Sequence, residues 1–226
     1  MISDVVIAES VTKRFRIGDT PVNALTNVNL TIEMGEFLAI VGPSGSGKTT
    51  FFNILGCIEK PTSGRVKING IDTTSLSPDD LACLRANHMG FVFQTFNLIP
   101  VLTALENVEY PILKRKMTKE ERKERATASL REVGLERFAH HKPSELSGGQ
   151  RQRVAIARAL IGTPSIILAD EPTANLDHKT SLEIIDLMKG LNGKLKTTFI
   201  FSTNDSKIMA LANRIIELVS GEIRNS

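Results

Sequence analysis

The sequence predicts an α/β fold in which a mostly parallel sheet surrounds a phosphate-loop core, with an antiparallel β layer beside it and a helical segment inserted. Three observations predict it. Apolar strand-like runs at residues 37–41, 165–169 and 197–201 alternate with helical stretches. The first run leads straight into a glycine-rich loop ending in Lys48-Thr49. Between the first and second runs lies a long stretch of helical pattern.

The elements follow in chain order. Val28, Leu30 and Ile32 alternate with Asn27, Asn29, Thr31 and Glu33, the period of a half-buried strand, and Met34-Gly35-Glu36 turns the chain. Residues 37–41 form a buried strand. Residues 64–70 alternate again through Val66 and Ile68 and close on Asn69-Gly70, a hairpin signal, so an antiparallel layer is expected beside the main sheet. From about residue 76 to 162 the pattern is helical. Thr118-Lys119-Glu120-Glu121 is a capping box, Ala126, Leu130 and Val133 share a face, and Gly134 ends that helix. Strand 165–169, a helix around 181–191 and strand 197–201 give the order of parallel α/β units. Ser220-Gly221 places a final hairpin turn. No repeat or low-complexity linker divides the chain, so one domain is expected over 1–226, with the core and β layer in 1–93 and 164–226 and the helical subdomain in 94–163.

Composition narrows the function classes. A chain of 226 residues buries a full core without external staples. Its two cysteines, Cys57 and Cys83, have no metal-like spacing and read as packing thiols in a reducing compartment. Twenty-eight basic against 25 acidic residues leave a net charge of +3, too small an excess to argue for nucleic acid. The run from Lys114-Arg115-Lys116 to Arg125 is interrupted by Glu120, Glu121 and Glu124 without an aromatic platform, and reads as a solvated helix face. His88, His140, His141 and His178 lack metal spacing. The start Met1-Ile2-Ser3-Asp4 is not a secretion signal, and no apolar run approaches the roughly 20 residues that span a bilayer. Any membrane role is expected to run through a partner.

Three motifs carry chemistry. Gly42-Pro43-Ser44-Gly45-Ser46-Gly47-Lys48-Thr49 lies between a strand and a helix beginning near Thr50. Glycines let backbone N–H groups wrap a β-phosphate, Lys48 sets a cation on the β- and γ-phosphates, and the Thr49 hydroxyl can ligate Mg²⁺. A flexible glycine loop would give that spacing by chance in roughly one chain per hundred, and the strand-loop-helix setting lowers the odds further. Ile166-Ile167-Leu168-Ala169 ends in Asp170-Glu171 at the sheet edge that ligands occupy, where Asp170 can hold Mg²⁺ through water and Glu171 can polarise an attacking water. Leu146-Ser147-Gly148-Gly149-Gln150 precedes a helix over 150–161: the glycines permit close backbone approach, Ser147 and Gln150 offer hydrogen bonds, and the helix end attracts anions. Chance would supply those five letters in roughly less than one chain per thousand.

That pentapeptide matches the signature of the ATP-binding cassette (ABC) family, and the resemblance covers nearly the whole chain. It implies an ABC-type ATPase using ATP and Mg²⁺. By the same resemblance Gln94, after Phe91-Val92-Phe93, touches Mg²⁺ and the attacking water while its loop senses the membrane partner. Phe15 falls where an aromatic ring stacks on adenine, a role that competes with that of an ordinary strand residue. Asp177, in Ala174-Asn175-Leu176-Asp177, is the expected cross-dimer contact, with a helix N-cap as the competing role. Ser147 to Gln150 would close on the ATP held by the other subunit, giving a homodimer with two ATP at its interface. Arg151, Arg153 and Arg158 would face nucleotide phosphate or solvent. The runs Gln94-Thr95-Phe96-Asn97-Leu98-Ile99-Pro100 and Leu102-Thr103-Ala104-Leu105-Glu106-Asn107-Val108 resemble the lipoprotein-releasing and macrolide-export ATPases. Those are cytoplasmic, peripheral on the inner membrane and coupled to an integral permease; here none is fused. The segment near Gln94 and Tyr110 is the expected landing place for a permease helix, or else packs within the helical subdomain.

The departure is Ser202-Thr203-Asn204-Asp205. The family usually has histidine where Asn204 stands, reaching the γ-phosphate and orienting water and glutamate. Asparagine is shorter and never cationic, though its amide still donates. Slow hydrolysis is the expectation. A nucleotide-gated dimerisation module with little turnover is the alternative, and a soluble ABC protein acting on DNA or ribosomes, which would carry paired cassettes or large insertions, ranks last.

Overall fold

The computed structural model describes residues 4–18 and 20–224, so Met1 to Ser3 of the start lie outside the described residues. Two sheets organise it. The first is antiparallel, in the order β2 (Thr20–Glu33), β1 (Asp4–Ile17), β4 (Ser63–Ile68), β5 (Ile71–Asp72). β1 and β2 are long and broken by register shifts, and Ser10 and Asn27 take left-handed φ of 50° at the irregularities. Their freed N–H groups are recaptured, Ser10 donating to Asn29 Oδ1 at 2.8 Å and Asn27 to Thr12 Oγ1 at 3.1 Å.

The second sheet runs β10 (Glu222–Arg224), β9 (Arg214–Val219), β3 (Phe37–Val41), β8 (Thr198–Ser202), β7 (Ile166–Asp170), β6 (Met89–Phe93). All its pairs are parallel except β10 with β9, the hairpin that Ser220-Gly221 anticipates. α1 (Lys48–Leu55) follows β3, α2 (Pro78–His88) precedes β6, α6 (His178–Leu195) joins β7 to β8, and α7 (Ser206–Met209) precedes β9. Between β6 and β7 come α3 (Ala104–Glu109), α4 (Lys119–Glu132) and α5 (Gly148–Leu160).

Alternation along β3 separates two cores. Leu38 and Ile40 face α1 and the antiparallel sheet, with Phe51, Ile54, Val6 and Val66. Phe37, Ala39 and Val41 face the other side, with Phe199, Phe201, Ile184 and the apolar faces of α3, α4 and α5. Phe37 stacks at a tilt on Phe201, ring centroids 4.9 Å apart.

Two sequence expectations change. The helical reading of 76–162 is interrupted by β6, because Met89 to Phe93 carry no polar residue and so lack the apolar–polar alternation that marks a strand. Gly90 permits close packing on the strand: a Cβ there would stand 2.5 Å from the Ala159 carbonyl oxygen of α5. The helix expected around 181–191 begins three residues earlier, at His178, because Asp177 caps it, accepting from the Thr180 N–H at 3.0 Å. α4 keeps its reading: Thr118 and Glu121 form the reciprocal box and Gly134 leaves the helix at φ 73°.

Candidate functional site

Parallel strands end on one edge of the sheet, and β3, β6, β7 and β8 each carry a motif off that edge. After β3, Gly42 adopts φ 148°, Gly45 φ 77° and Gly47 φ 103°. A Cβ on Gly42 would lie 2.0 Å from the Leu218 carbonyl oxygen, and one on Gly47 would lie 2.4 Å from that of Ala24, so both positions exclude side chains by packing. Gly45 faces open space. The Lys48 ammonium donates to the carbonyls of Gly42 (2.6 Å) and Pro43 (3.0 Å), and the Gly221 N–H donates to Ser46 O at 3.0 Å, bracing the loop from the last hairpin. The Ser46 hydroxyl is buried without a hydrogen-bond partner. Pro43 and Ser44 are exposed at the loop's tip, and Thr50 follows in the first turn of α1.

After β7 the carboxylates are wired to β8. Ser202 Oγ donates to Asp170 Oδ1 at 2.7 Å and accepts the Glu171 N–H at 2.7 Å. Thr49 Oγ1 donates to Asp170 Oδ2 at 3.5 Å, joining the loop to the same carboxylate. Glu171 is held at φ 44°, a left-handed conformation that costs a non-glycine residue about 1–2 kcal/mol. Asn204 Nδ2 donates to Glu171 Oε1 at 3.4 Å. Glu171 and Asn204 line one cavity of about 320 Å³ with His178 and Asp205 on its wall, His178 Nδ1 standing 3.7 Å from Asp205 Oδ2.

Gln94 enters by register. Phe93 pairs with Asp170 across β6 and β7, so Gln94 and Glu171, the next residue on each strand, leave the sheet side by side. Gln94 is exposed, and its carbonyl accepts from Asn175 Nδ2 at 2.9 Å. Lys48, Thr49, Asp170, Glu171, Gln94 and Asn204 are therefore gathered along one edge.

The signature differs from its expected geometry. α5 begins at Gly148 rather than at 150, so both glycines stand inside its first turn, with Ser147 as N-cap. Ser147 Oγ accepts the Gln150 N–H at 3.2 Å and Gln150 Oε1 accepts the Ser147 N–H at 2.8 Å, so these side chains cap the helix. The glycines serve packing: a Cβ on Gly149 would stand 2.6 Å from Thr180 Cγ2, and one on Gly148 would stand 3.1 Å from Leu176 Cδ2. Thr180 Oγ1 in turn donates to Asp177 Oδ2 at 2.6 Å, tying the signature to the cap of α6, and hydrogen bonds from Thr180 hold the Asp177 carboxyl below its usual pKa.

The arginines of α5 also engage protein groups. Arg158 is half-buried and donates to the carbonyls of Phe96 and Asn97. Arg153 donates to Val133 O at 3.2 Å. Arg151 lies over the Phe96 ring, 5.1 Å from its centroid. Phe15 is half-buried on β1, with the Lys13 ammonium 5.1 Å from its ring centroid. Sequence reasoning missed the bridging role of Ser202. It also missed the grip of α5 on the Gln94 loop, although Arg151 and Arg158, two turns apart, fall on one helix face.

A family profile described as ABC transporter matches residues 25–174. A protein of Methanocaldococcus jannaschii described as the uncharacterized ABC transporter ATP-binding protein MJ0796 is 52% identical over 219 residues, covering 95% of this chain and 93% of that protein. The macrolide export ATP-binding/permease protein MacB of Escherichia coli is 48% identical over 215 residues, covering 95% of this chain but 33% of its own length. A solved dimeric post-hydrolysis state of MJ0796 bound to ADP and Pi superposes with a TM-score of 0.89 at 51% identity, covering 97% of each chain.

Proposed function

The chain belongs to the ATP-binding cassette transporter family, and from that premise we propose that it works as a homodimer that closes on two ATP molecules and drives an integral membrane permease. It is an ABC-type ATPase with the fold of the solved cassettes. The proposal covers what the nucleotide does to it and which residues respond. No helix among the described residues is long and apolar enough to cross a membrane. In this reading the membrane-spanning permease is a part other than residues 4–224, and the chain sits on the cytoplasmic face of the membrane. The MacB relatives, of which the chain spans about a third of the length, are named as ATP-binding/permease proteins in macrolide export. Export, lipoprotein release or mechanical transmission is the class of work proposed here.

The observation that carries the reading is the wired edge Lys48–Thr49–Asp170–Ser202–Glu171–Asn204. Backbone N–H groups of Gly42 and of residues 44–50, with Pro43 shaping the turn between them, and the Lys48 ammonium receive the β- and γ-phosphates, the ammonium leaving the Gly42 and Pro43 carbonyls to do so. Phe15 stacks on adenine. Thr49, Asp170 and Gln94 offer hard oxygen donors suited to Mg²⁺, and the Thr49 to Asp170 contact already places two of them together. Bound there, Mg²⁺ would neutralise charge on the phosphates. Glu171 takes the proton of the attacking water, and Asn204 holds the Glu171 carboxylate in place. Ser147 to Gln150 and Asp177 close on the partner subunit's nucleotide. Binding ATP favours the closed dimer because both halves touch it there, and cleavage removes that differential affinity.

Co-purification from membranes, with ATPase measured with and without the captured partner, tests the reading. An integral membrane protein that changes the rate supports it, and a partner unrelated to membranes overturns it. The second reading, a nucleotide-gated module with little turnover, is favoured by one observation: the group touching Glu171 is a neutral amide at 3.4 Å.

A further inference from the structure

α5 starts at the signature and ends against β6, and along the way it holds the loop that carries Gln94. The Arg158 guanidinium donates through Nη1 to Asn97 O and through Nη2 to Phe96 O, at 2.8 Å for the latter. Both carbonyls belong to residues in left-handed conformation, Phe96 at φ 63° and Asn97 at φ 48°, uncommon for residues with side chains. Two consecutive residues of this kind turn their carbonyls toward one guanidinium, and the fork of Arg fits that pair as a single lysine ammonium cannot. Burial lowers the pKa of the Arg158 guanidinium, so the group gives up water for these two bonds. One side of the loop is fixed in this way, and Arg151 covers the Phe96 ring. At the other end Asn175 Nδ2 holds the Gln94 carbonyl, and the register of β6 with β7 sets Gln94 beside Glu171. The Gln94 side chain itself is exposed, so its direction follows from how its backbone is pinned.

We propose that Arg158 is a positioning residue for Gln94: its hold on the Phe96 and Asn97 carbonyls fixes the strained loop so that the Gln94 side chain reaches the reacting end of the nucleotide. This rests on the proposed role of Gln94. It makes α5 a single rod with two duties, presenting Ser147 to the nucleotide of the partner subunit while holding Gln94 over the nucleotide of its own.

Steady-state ATPase of the purified chain, with ATP and Mg²⁺ varied separately, is measured for wild type, Arg158→Gln, Arg158→Lys, Gln94→Ala and the double variant Arg158→Gln/Gln94→Ala. The expected kcat of Arg158→Gln falls on the order of ten- to a hundred-fold, as small misplacements near chemistry do, while the KM for ATP stays within about two-fold because the Lys48 loop is untouched. Arg158→Lys, with one forked donor lost, falls between, and it serves in place of Arg158→Gln should the latter not fold. The double variant is no slower than Gln94→Ala, because two residues acting through one side chain are not additive. Losses that multiply in the double variant, or an unchanged kcat in Arg158→Gln, overturn the positioning role and leave the Gln94 reading standing. A Gln94→Ala protein at full rate overturns both.

Discussion

Ser202 Oγ stands between Asp170 and Glu171, donating to the Asp170 carboxylate and accepting the Glu171 N–H, each at 2.7 Å. One hydroxyl on β8 thus fixes the Asp170 carboxylate and the strained backbone of the adjacent Glu171. Removing it orphans the Glu171 N–H and frees Asp170. For Ser202→Ala, kcat is expected to fall by about ten-fold or more with little change in ATP affinity, since no phosphate-loop contact is lost. Steady-state kinetics beside nucleotide binding separates the two, and loss of binding equal to the loss of rate would count against this role.

Asn204 reaches Glu171 with a neutral amide at 3.4 Å. Asn204→His supplies a longer side chain that can donate and carry charge, and its ATPase rate is expected to rise by about ten-fold or more. Equal rates for the two proteins would sink the idea that Asn204 limits turnover, and would leave the permease-driving reading as it is.

Ser147 is exposed at the N-terminus of α5 and caps it. Ser147→Arg places a bulky cation where the partner subunit's nucleotide is proposed to lie, so ATP-induced dimerisation by size-exclusion chromatography is expected to disappear while fluorescent-nucleotide binding to the monomer persists. Ser147→Ala isolates the cap alone and is expected to cost about 1 kcal/mol of stability. Loss of monomer binding in Ser147→Arg would contradict the cross-subunit placement.

Gly42→Ala drives a Cβ to 2.0 Å from the Leu218 carbonyl oxygen at a φ of 148°. The loop or β9 must shift, so nucleotide binding is expected to be lost together with more than about 2 kcal/mol of stability, read by urea unfolding. Gly45→Ala meets no atoms within 4 Å and bears only the cost of its backbone conformation, making it the milder variant.

Cys57 is buried, and burial pushes its thiol from 9.0 up to about 11, against smaller opposing effects of the Arg85 charge and a Thr73 hydrogen bond. The native state therefore keeps the proton where the unfolded chain gives it up. Stability from this group is full below pH 9 and is lost as pH rises from 9 toward about 11, by roughly 2–3 kcal/mol in all. Urea unfolding across that range checks the sign. At pH 8 a thiol reagent is expected to modify the exposed Cys83 in the native protein and to reach Cys57 only on unfolding.

Local chemistry made part of this molecule legible in its sequence. The glycine spacing before Lys48, the carboxylates closing an apolar run at Asp170, and the Thr118 box each declare their structure within a few residues. What escaped was written across distance. β6 has no polar residue from Met89 to Phe93, so it lacks the alternation that would have set it apart from its helical flanks. Ser202 meets Glu171 across 31 residues of chain and Arg158 meets Phe96 across 62, and neither has a partner in its own neighbourhood of sequence. The signature glycines gave a clear family resemblance but not their packing role, because the Thr180 side chain that a Cβ on Gly149 would meet lies 31 residues on.

The hairpin of β9 and β10 reaches under the phosphate loop. Gly221 donates its N–H to Ser46 and accepts the N–H of Thr26 at 2.8 Å, and Leu218 presents the carbonyl that Gly42 must clear. During synthesis, then, a loop made early waits for a brace made late. A nascent chain that has emerged as far as α7 holds every nucleotide-facing motif yet lacks the floor on which the first of them rests. Contacts of such long sequence separation are slow to form, so the phosphate loop gains its floor only once β9 and β10 have docked.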